Sequence, residues 1–379
     1  MIYDNSYGTQ THVSTLVDGL KKNGHTLTAI SIGQLDWTDD LGLSSFLTFL
    51  ANMIMSAHRG FALARRMGER RPDIIHAHNA RAALMLGYFL HIVRRIPLVL
   101  TIHETHSIAL KINRLYKKAN KIIAISPEVK QRILRYGVDE HKLCVIPNMV
   151  NTEQWVPTVG AIHGRNNTQS YRLVWAGRAD TSKMGVLRVL MGSMPRILVR
   201  FPNARLFVAG SGPRLREMSE LAGRINGHVG KEAIVMLGFM PNPAEVFKEA
   251  DVLIGAGRVA LEAMACGKPV VVASANEDGA LTGGIVTGEN VCQLSRCNFS
   301  GRSYPDRIDS PSMCELIGRL LVDEGYRQEV GAWGRSYVEE NFGIAGVAKC
   351  IEAAYAESIK SSPSLPTKMG IRDWKKNYS

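Results

Sequence analysis

Short, mostly apolar runs alternate with amphipathic stretches along nearly the whole chain. In the first half the runs are Thr26–Ser31, Asp73–Ala77, Pro97–Ile102, Lys121–Ile125 and Lys142–Ile146. In the second they are Arg172–Gly177, Arg205–Gly210, Ala233–Gly238, Asp251–Ala256 and Pro269–Ser274. Helical periodicity separates them, notably over Thr9–Asn23 and Ala80–Val93. Strands without polar alternation are covered on both faces, so the pattern predicts parallel sheets with helices on each side. Two successive series predict an α/β protein of two doubly wound, Rossmann-like domains facing a central cleft.

The chain has 379 residues, too many for one ordinary core and enough for two. The first domain is expected over residues 1–151 and the second over 172–342. Between them, 152–171 is rich in Asn, Gly, Thr and Pro without periodicity and reads as a linker. Residues 361–379 read as a polar tail. Only "MIYD" precedes the turn at Gly8, so the first strand is stunted or the chain as given starts late.

Charge narrows the partners. The formal net charge is +12, from 46 Lys and Arg against 34 Asp and Glu, which favours anionic ligands or surfaces. Arg59–Arg71 and Lys111–Arg135 carry much of the basic excess. The first group follows "SFLTFLANMIM", so Ser44–Arg71 reads either as a solvated helix face or as a contact for an anionic membrane surface. The basic runs lack interleaved aromatics or a recognition motif, and nucleic acid is not expected as a partner. No run of about 18 apolar residues predicts a membrane span, and the N-terminus has no signal-peptide pattern. Six cysteines without a CxxC pair predict mostly buried thiols in a reducing compartment. A cytoplasmic location follows, with peripheral attachment to the inner membrane face as a variant.

Ligands of open α/β sheets bind beyond the carboxyl ends of the strands. There, Gly8 allows a tight turn, and Thr9 can open a helix whose free N–H groups face an anion. "HAH" and "TIH" bring His76, His78 and His103 to strand ends, with His103 the candidate for contacting a phosphate or substrate hydroxyl. The HAH rings are expected on opposite faces, and without a third ligand no metal site is expected. In "AGRADTSK", Arg178 follows the strand and Lys183 is expected in a Gly- and Ser-containing loop entering a helix; they offer a donor fork and a point charge that suit a diphosphate. Gly210 lies in "AGSGP", a turn that lacks the third glycine of a dinucleotide fingerprint. In "GAGRVALEAMACGKPVVV", Gly255 and Gly257 let backbone amides approach a ligand, and Arg258 starts a helix. Glu262, one turn on, suits a ribose diol, or is a helix-start acid favoured by the dipole.

Together with "AISPEVKQRI", "VIPNMVNTEQW", "LGFMPNPAEVFKEADV" and "YVEENFGIAGVAKCIEAAY", these motifs resemble the retaining family 4 of GT-B glycosyltransferases over roughly Ile2–Ala356. The resemblance implies a final helix, 343–360, that crosses back to the first domain. It implies transfer of a sugar from a nucleotide diphosphate sugar, UDP favoured over GDP, to a sugar or lipid-linked acceptor of the cell envelope, without metal or other cofactor. By the same resemblance Arg178 and Lys183 hold the diphosphate, Glu262 the ribose and Gly8–Thr9 the distal phosphate. His103 lies beside the transferred sugar, and the backbone around Met240 holds the base. The chain departs from the family in carrying Ile254 where a first glutamate is usual, "NMVN" for "NGVD", and a single glycine at Gly8. Two alternatives stand beside this: a nucleotide-sugar epimerase using Glu277 and Asp278, and a nucleotide-binding subunit without catalysis.

Overall fold

Two six-stranded sheets organise the chain in the computed structural model, which describes residues 1–4, 7–32, 71–78, 81–103, 116–157, 170–276, 279–301 and 306–361. The first sheet contains β1 (Ile2–Asp4), β2 (Ile30–Ile32), β3 (Ile75–His78), β4 (Leu98–Ile102), β5 (Lys121–Ala124) and β6 (Leu143–Val145), all parallel, in the order β2-β1-β3-β4-β5-β6. Around it lie α1 (Tyr7–Lys22), α2 (Arg81–Arg94) and α3 (Pro127–Leu134). The start of α3 is written in "SPEV": Ser126 caps the Val129 amide, and Pro127 occupies the first turn, where no N–H is needed.

The second sheet holds β7 (Arg172–Ala176), β8 (Arg205–Ala209), β9 (Ile234–Gly238), β10 (Val252–Gly255), β11 (Val270–Asn276) and β12 (Gly279–Ile285), in the order β12-β11-β10-β7-β8-β9. Its helices are α4 (Thr181–Arg200), α5 (Leu215–Val229), α6 (Pro243–Lys248), α7 (Arg258–Ala265), α8 (Val291–Arg296), α9 (Ser310–Val322) and α10 (Glu324–Phe342). β12 is an unexpected element and runs antiparallel to β11. Its sequence, GALTGGI, has three glycines in seven positions, which erases the apolar signature of a strand. The sheet is therefore parallel with one antiparallel edge, a common variant of this architecture.

Strand order reverses once in each sheet, between β1 and β3 and between β7 and β10. At such a reversal the connecting helices leave to opposite faces, opening a crevice at the carboxyl ends. The strands beside it are dry: every residue of β3, β4 and β10 is buried.

The last helix, α11 (Ile344–Lys360), packs on the first sheet. Val347, Ile351, Ala354 and Tyr355 share a core with Leu16 and Leu20 of α1, Val99 of β4 and Ile123 of β5. The chain passes between the sheets twice, and the passages touch where the Val150 amide donates to Phe342 O at 2.8 Å. The stretch expected as a linker starts pinned: Trp155 is buried against Phe247, and Arg335 donates to the carbonyls of Trp155 and Thr152. Of the six cysteines only Cys266 is buried, while Cys292 and Cys350 are exposed, which corrects the expectation of mostly buried thiols. Apolar neighbours in sequence do not set burial on an amphipathic helix, where facing decides. The amphipathic region 44–70 and the tail from 362 lie outside the described residues. Among the described residues no helix is long and apolar enough to cross a membrane.

Tyr355 also makes a polar tie: its hydroxyl lies 2.7 Å from His76 Nδ1, in the buried seam between α11 and β3. Tyr355→Phe strands that nitrogen without a partner, at a cost of about 1–3 kcal/mol. Calorimetry should find a lower unfolding midpoint with unchanged far-ultraviolet dichroism; an unchanged midpoint would mean the tie carries no net stability.

Candidate functional site

The second sheet brings its predicted residues to one edge. Arg178 follows β7 directly, Gly257 and Arg258 follow β10, and Gly210 follows β8, so all four lie at carboxyl ends of adjacent strands. The loops after β7 and β8 are laced together, Gly177 N–H to Ala209 O and Ala179 N–H to Ser211 O. Gly210 permits this approach: a Cβ there would lie 1.9 Å from the Gly177 carbonyl oxygen. The Arg178 side chain is 71% exposed, with Nε 3.3 Å from Asp180. Lys183 lies inside α4 rather than in the loop before it, and Nζ donates to Ser274 Oγ at the end of β11, 3.1 Å away. Met240, beyond β9, is half-buried and packs against the core around Phe247.

Glu262 is buried in α7, where its Oε1 accepts from Arg258 Nε at 2.6 Å. Burial pushes its carboxyl above the usual range, and the Arg258 guanidinium opposes that rise. Two details differ from the expected site. The Gly257 amide donates to Phe299 O at 2.7 Å, so that N–H is committed within the fold. Ile254 belongs to the core that contains Trp175 and Val252; position 254 faces packed side chains, not the cleft. A strand residue whose neighbours two apart are core shares their face, which is why an acid there has no place in this chain.

The first sheet contributes histidines. Gly8 and Thr9 lie in the first turn of α1, which begins at Tyr7, and Thr9 is buried. His12, one turn further, meets His78 from the end of β3 and His103 from the end of β4. The His12 ring lies 5.5 Å from that of His78 and 4.6 Å from that of His103, centroid to centroid. His78 Nδ1 and His103 Nε2 are 3.3 Å apart. His76 and His78 were expected to diverge, yet their rings are 4.1 Å apart, because residues two apart share a strand face. His76 is a satisfied structural residue, held by Tyr355 and by Thr101 Oγ1 at 2.7 Å. His12 was not foreseen; its signal was its position one turn after Gly8, on the helix that leaves the switch point.

Arg258 joins the halves. Beyond Glu262, its Nη2 donates to Thr15 Oγ1 of α1 at 3.3 Å. Asn148 adds a second contact between the halves, donating to Asn298 Oδ1 at 3.4 Å. The cleft thus has a neutral, imidazole-lined wall and a cationic one. Burial holds His12, His76 and His78 well below the ordinary histidine range, and holds His103 at about 4 with a further push from Arg258.

Residues 7–154 match the family model Glycosyltransferase Family 4, and 170–296 match Glycosyl transferases group 1. An uncharacterized glycosyltransferase, MJ1607 of Methanocaldococcus jannaschii, is 25% identical, with 90% of this chain and 92% of the relative covered. Phosphatidyl-myo-inositol mannosyltransferase of Mycobacterium tuberculosis is 23% identical over 71% of this chain and 74% of its own. Among solved structures, Anabaena HepE in complex with UDP and glucose superposes with a TM-score of 0.64 at 15% identity, covering 94% of this chain and 98% of that one. The chain belongs to the GT-B glycosyltransferases of the family 4 type, and it is a transferase enzyme. Glu277 and Asp278, the acids an epimerase would call on, lie outside the described residues.

The buried imidazoles make stability pH-dependent with a definite sign. Below pH about 6.5 histidines of the unfolded chain take up protons that the folded rings refuse, so stability falls as pH drops, down to about pH 4 for His103. Above 6.5 the contribution is flat. Unfolding midpoints should fall steeply from pH 7 to pH 5, and His78→Gln should flatten the fall by up to about 1.4 kcal/mol per pH unit. Equal slopes in wild type and variant would contradict this assignment.

Proposed function

We propose that the protein transfers a sugar from a nucleoside diphosphate sugar, with UDP as the favoured nucleotide, to an acceptor hydroxyl with retention at the anomeric carbon. The observation that carries this is the placement of Arg178, Lys183 and the Arg258–Glu262 pair around the switch point of the second sheet, with Arg258 meeting α1 at Thr15. Open α/β sheets take nucleotides at that place.

On this reading the diphosphate lies against Arg178 and Lys183. Lys183 swings from Ser274 to a phosphate oxygen, and Arg178 gives up its weak contact with Asp180. Glu262 receives a ribose hydroxyl on Oε2 while Arg258 keeps Oε1. The backbone near Gly210 and Met240 borders the base, and the first turn of α1, with Gly8 and Thr9, meets the distal phosphate. As the glycosidic bond breaks, negative charge grows on the leaving diphosphate, and these fixed cations and N–H dipoles offset it without a metal at the phosphates. His103 lies beside the transferred sugar. Neutral at physiological pH, it can accept or donate one hydrogen bond to a sugar hydroxyl. No protein nucleophile is required: the leaving phosphate oxygen can take the acceptor's proton.

For the acceptor we propose a sugar or lipid-linked glycan of the cell envelope. The support is the lipid named in the mycobacterial relative's description and the basic, apolar sequence at 44–71. The enzyme would then work on the cytoplasmic membrane face, held by anionic lipid.

A thermal-shift panel of nucleotides and nucleotide sugars tests the donor, because a ligand of the folded state raises the midpoint. UDP and a UDP-sugar should stabilise; stabilisation by none of the panel would count against the reading. Lys183→Ala should lower kcat about a hundredfold or more, from the roughly 2.7–4 kcal/mol that one such donor supplies; near-normal turnover would remove Lys183 from the site. Arg258→Ala breaks a buried pair and leaves Glu262 uncompensated, costing about 3–5 kcal/mol of stability. Donor affinity should fall with it, and nucleotide titrations showing wild-type affinity would limit Arg258 to a structural role.

A further inference from the structure

We infer that His12, His78 and His103 form a binding site for one divalent transition-metal ion of the zinc class, on the first-sheet wall of the cleft. One nitrogen from each ring lies within 4.8 Å of the other two. The pair already closest, His78 Nδ1 and His103 Nε2, is 3.3 Å apart. Two nitrogens bound at about 2.0–2.1 Å to a tetrahedral ion sit about 3.3 Å from each other, so this edge of the polyhedron is in place. His12 completes the face after a small rotation of its ring.

The rings are prepared for a metal in three other respects. His12 and His78 are at least nine-tenths buried, and neither nitrogen of His12 has a hydrogen bond of good geometry, although Asn148 lies beside the ring. Buried polar atoms of this kind normally have partners, and an ion would supply one. Metal binding also needs neutral imidazoles, and burial keeps these unprotonated far below neutral pH. Finally, His78 is held from behind by the His76 ring, itself fixed through Tyr355 and Thr101. Such outer support orients ligands.

The donor set selects the ion. Three imidazoles with no carboxylate in the cluster suit zinc, cobalt, nickel or copper, and discriminate against magnesium and calcium. The opposing charge is Arg258, whose field reaches His12 and His103, but Glu262 at 2.6 Å already compensates it. Three protein ligands leave a fourth position for water.

The site goes beyond the proposed transfer reaction, which uses no ion at the diphosphate. The two meet only at His103: an ion on that ring and a sugar against it exclude each other, so zinc would act as a reversible inhibitor.

The test uses the full chain stripped with chelator and titrated with Zn²⁺ or Co²⁺ alone, which makes it independent of any activity. One ion per chain is expected, with the intense visible absorption of four-coordinate cobalt. His12→Ala and His78→Ala should each weaken binding by more than the roughly 10–100-fold that changes behind a ligand cost. His141→Ala, an exposed histidine paired with Asp139, should change nothing. Should either cleft variant fold poorly, imidazole nitrogen NMR of the wild type gives the answer, with three histidines shifting at one equivalent of Zn²⁺. Absence of stoichiometric binding, a six-coordinate cobalt spectrum, or unchanged affinity in both folded variants would each overturn the site.

Discussion

A buried ion pair, Arg258 with Glu262, occupies the point where the two sheets face each other. Removing a carboxylate from water is costly, and here the cost is offset by a guanidinium one helical turn away, with both side chains less than a fifth exposed. The same guanidinium reaches Thr15 of α1. One side chain therefore pairs with the buried Glu262, opposing the rise that burial imposes on its carboxyl, and ties α7 to α1. Ile254, committed to the core beneath, leaves that pair without a competing acid.

Around this pair the cleft divides its labour. The second sheet offers Arg178 on a loop laced to its neighbour, where a Cβ at Gly210 would collide with backbone, and Lys183 and Arg258 in the opening turns of α4 and α7. The first offers neutral rings packed behind β3 and β4 and backed by α11. The crossing helix matters here: Tyr355 fixes His76, the His76 ring packs at a tilt against His78, and His78 faces His103. Packing far from the cleft thus sets the orientation of the wall that faces the sugar on this account.

Much of this was legible in the sequence because parallel strands buried on both faces leave continuous apolar runs. Ten of the described strands announce themselves so, and restricting attention to the residues after each led directly to His103, Arg178, Arg258 and Glu262. The hidden parts share a cause: they depend on contacts that no local pattern encodes. β12 is glycine-rich and exists through pairing with β11. His12 acquires meaning only when α1 lies beside β3 and β4. The engagement of the Gly257 amide by Phe299, and of Arg258 by Thr15, joins residues far apart in the chain. Lys183 was placed in a loop because Gly and Ser around it disguise the opening turn of α4.

The most direct measurement of the central claim is a crystal structure of the protein with UDP. The account predicts the diphosphate within hydrogen-bonding distance of Arg178 and Lys183, and a ribose hydroxyl on Glu262 while Arg258 retains the other carboxylate oxygen. A nucleotide bound elsewhere, or bound in the cleft with Glu262 untouched and Lys183 still on Ser274, would contradict it.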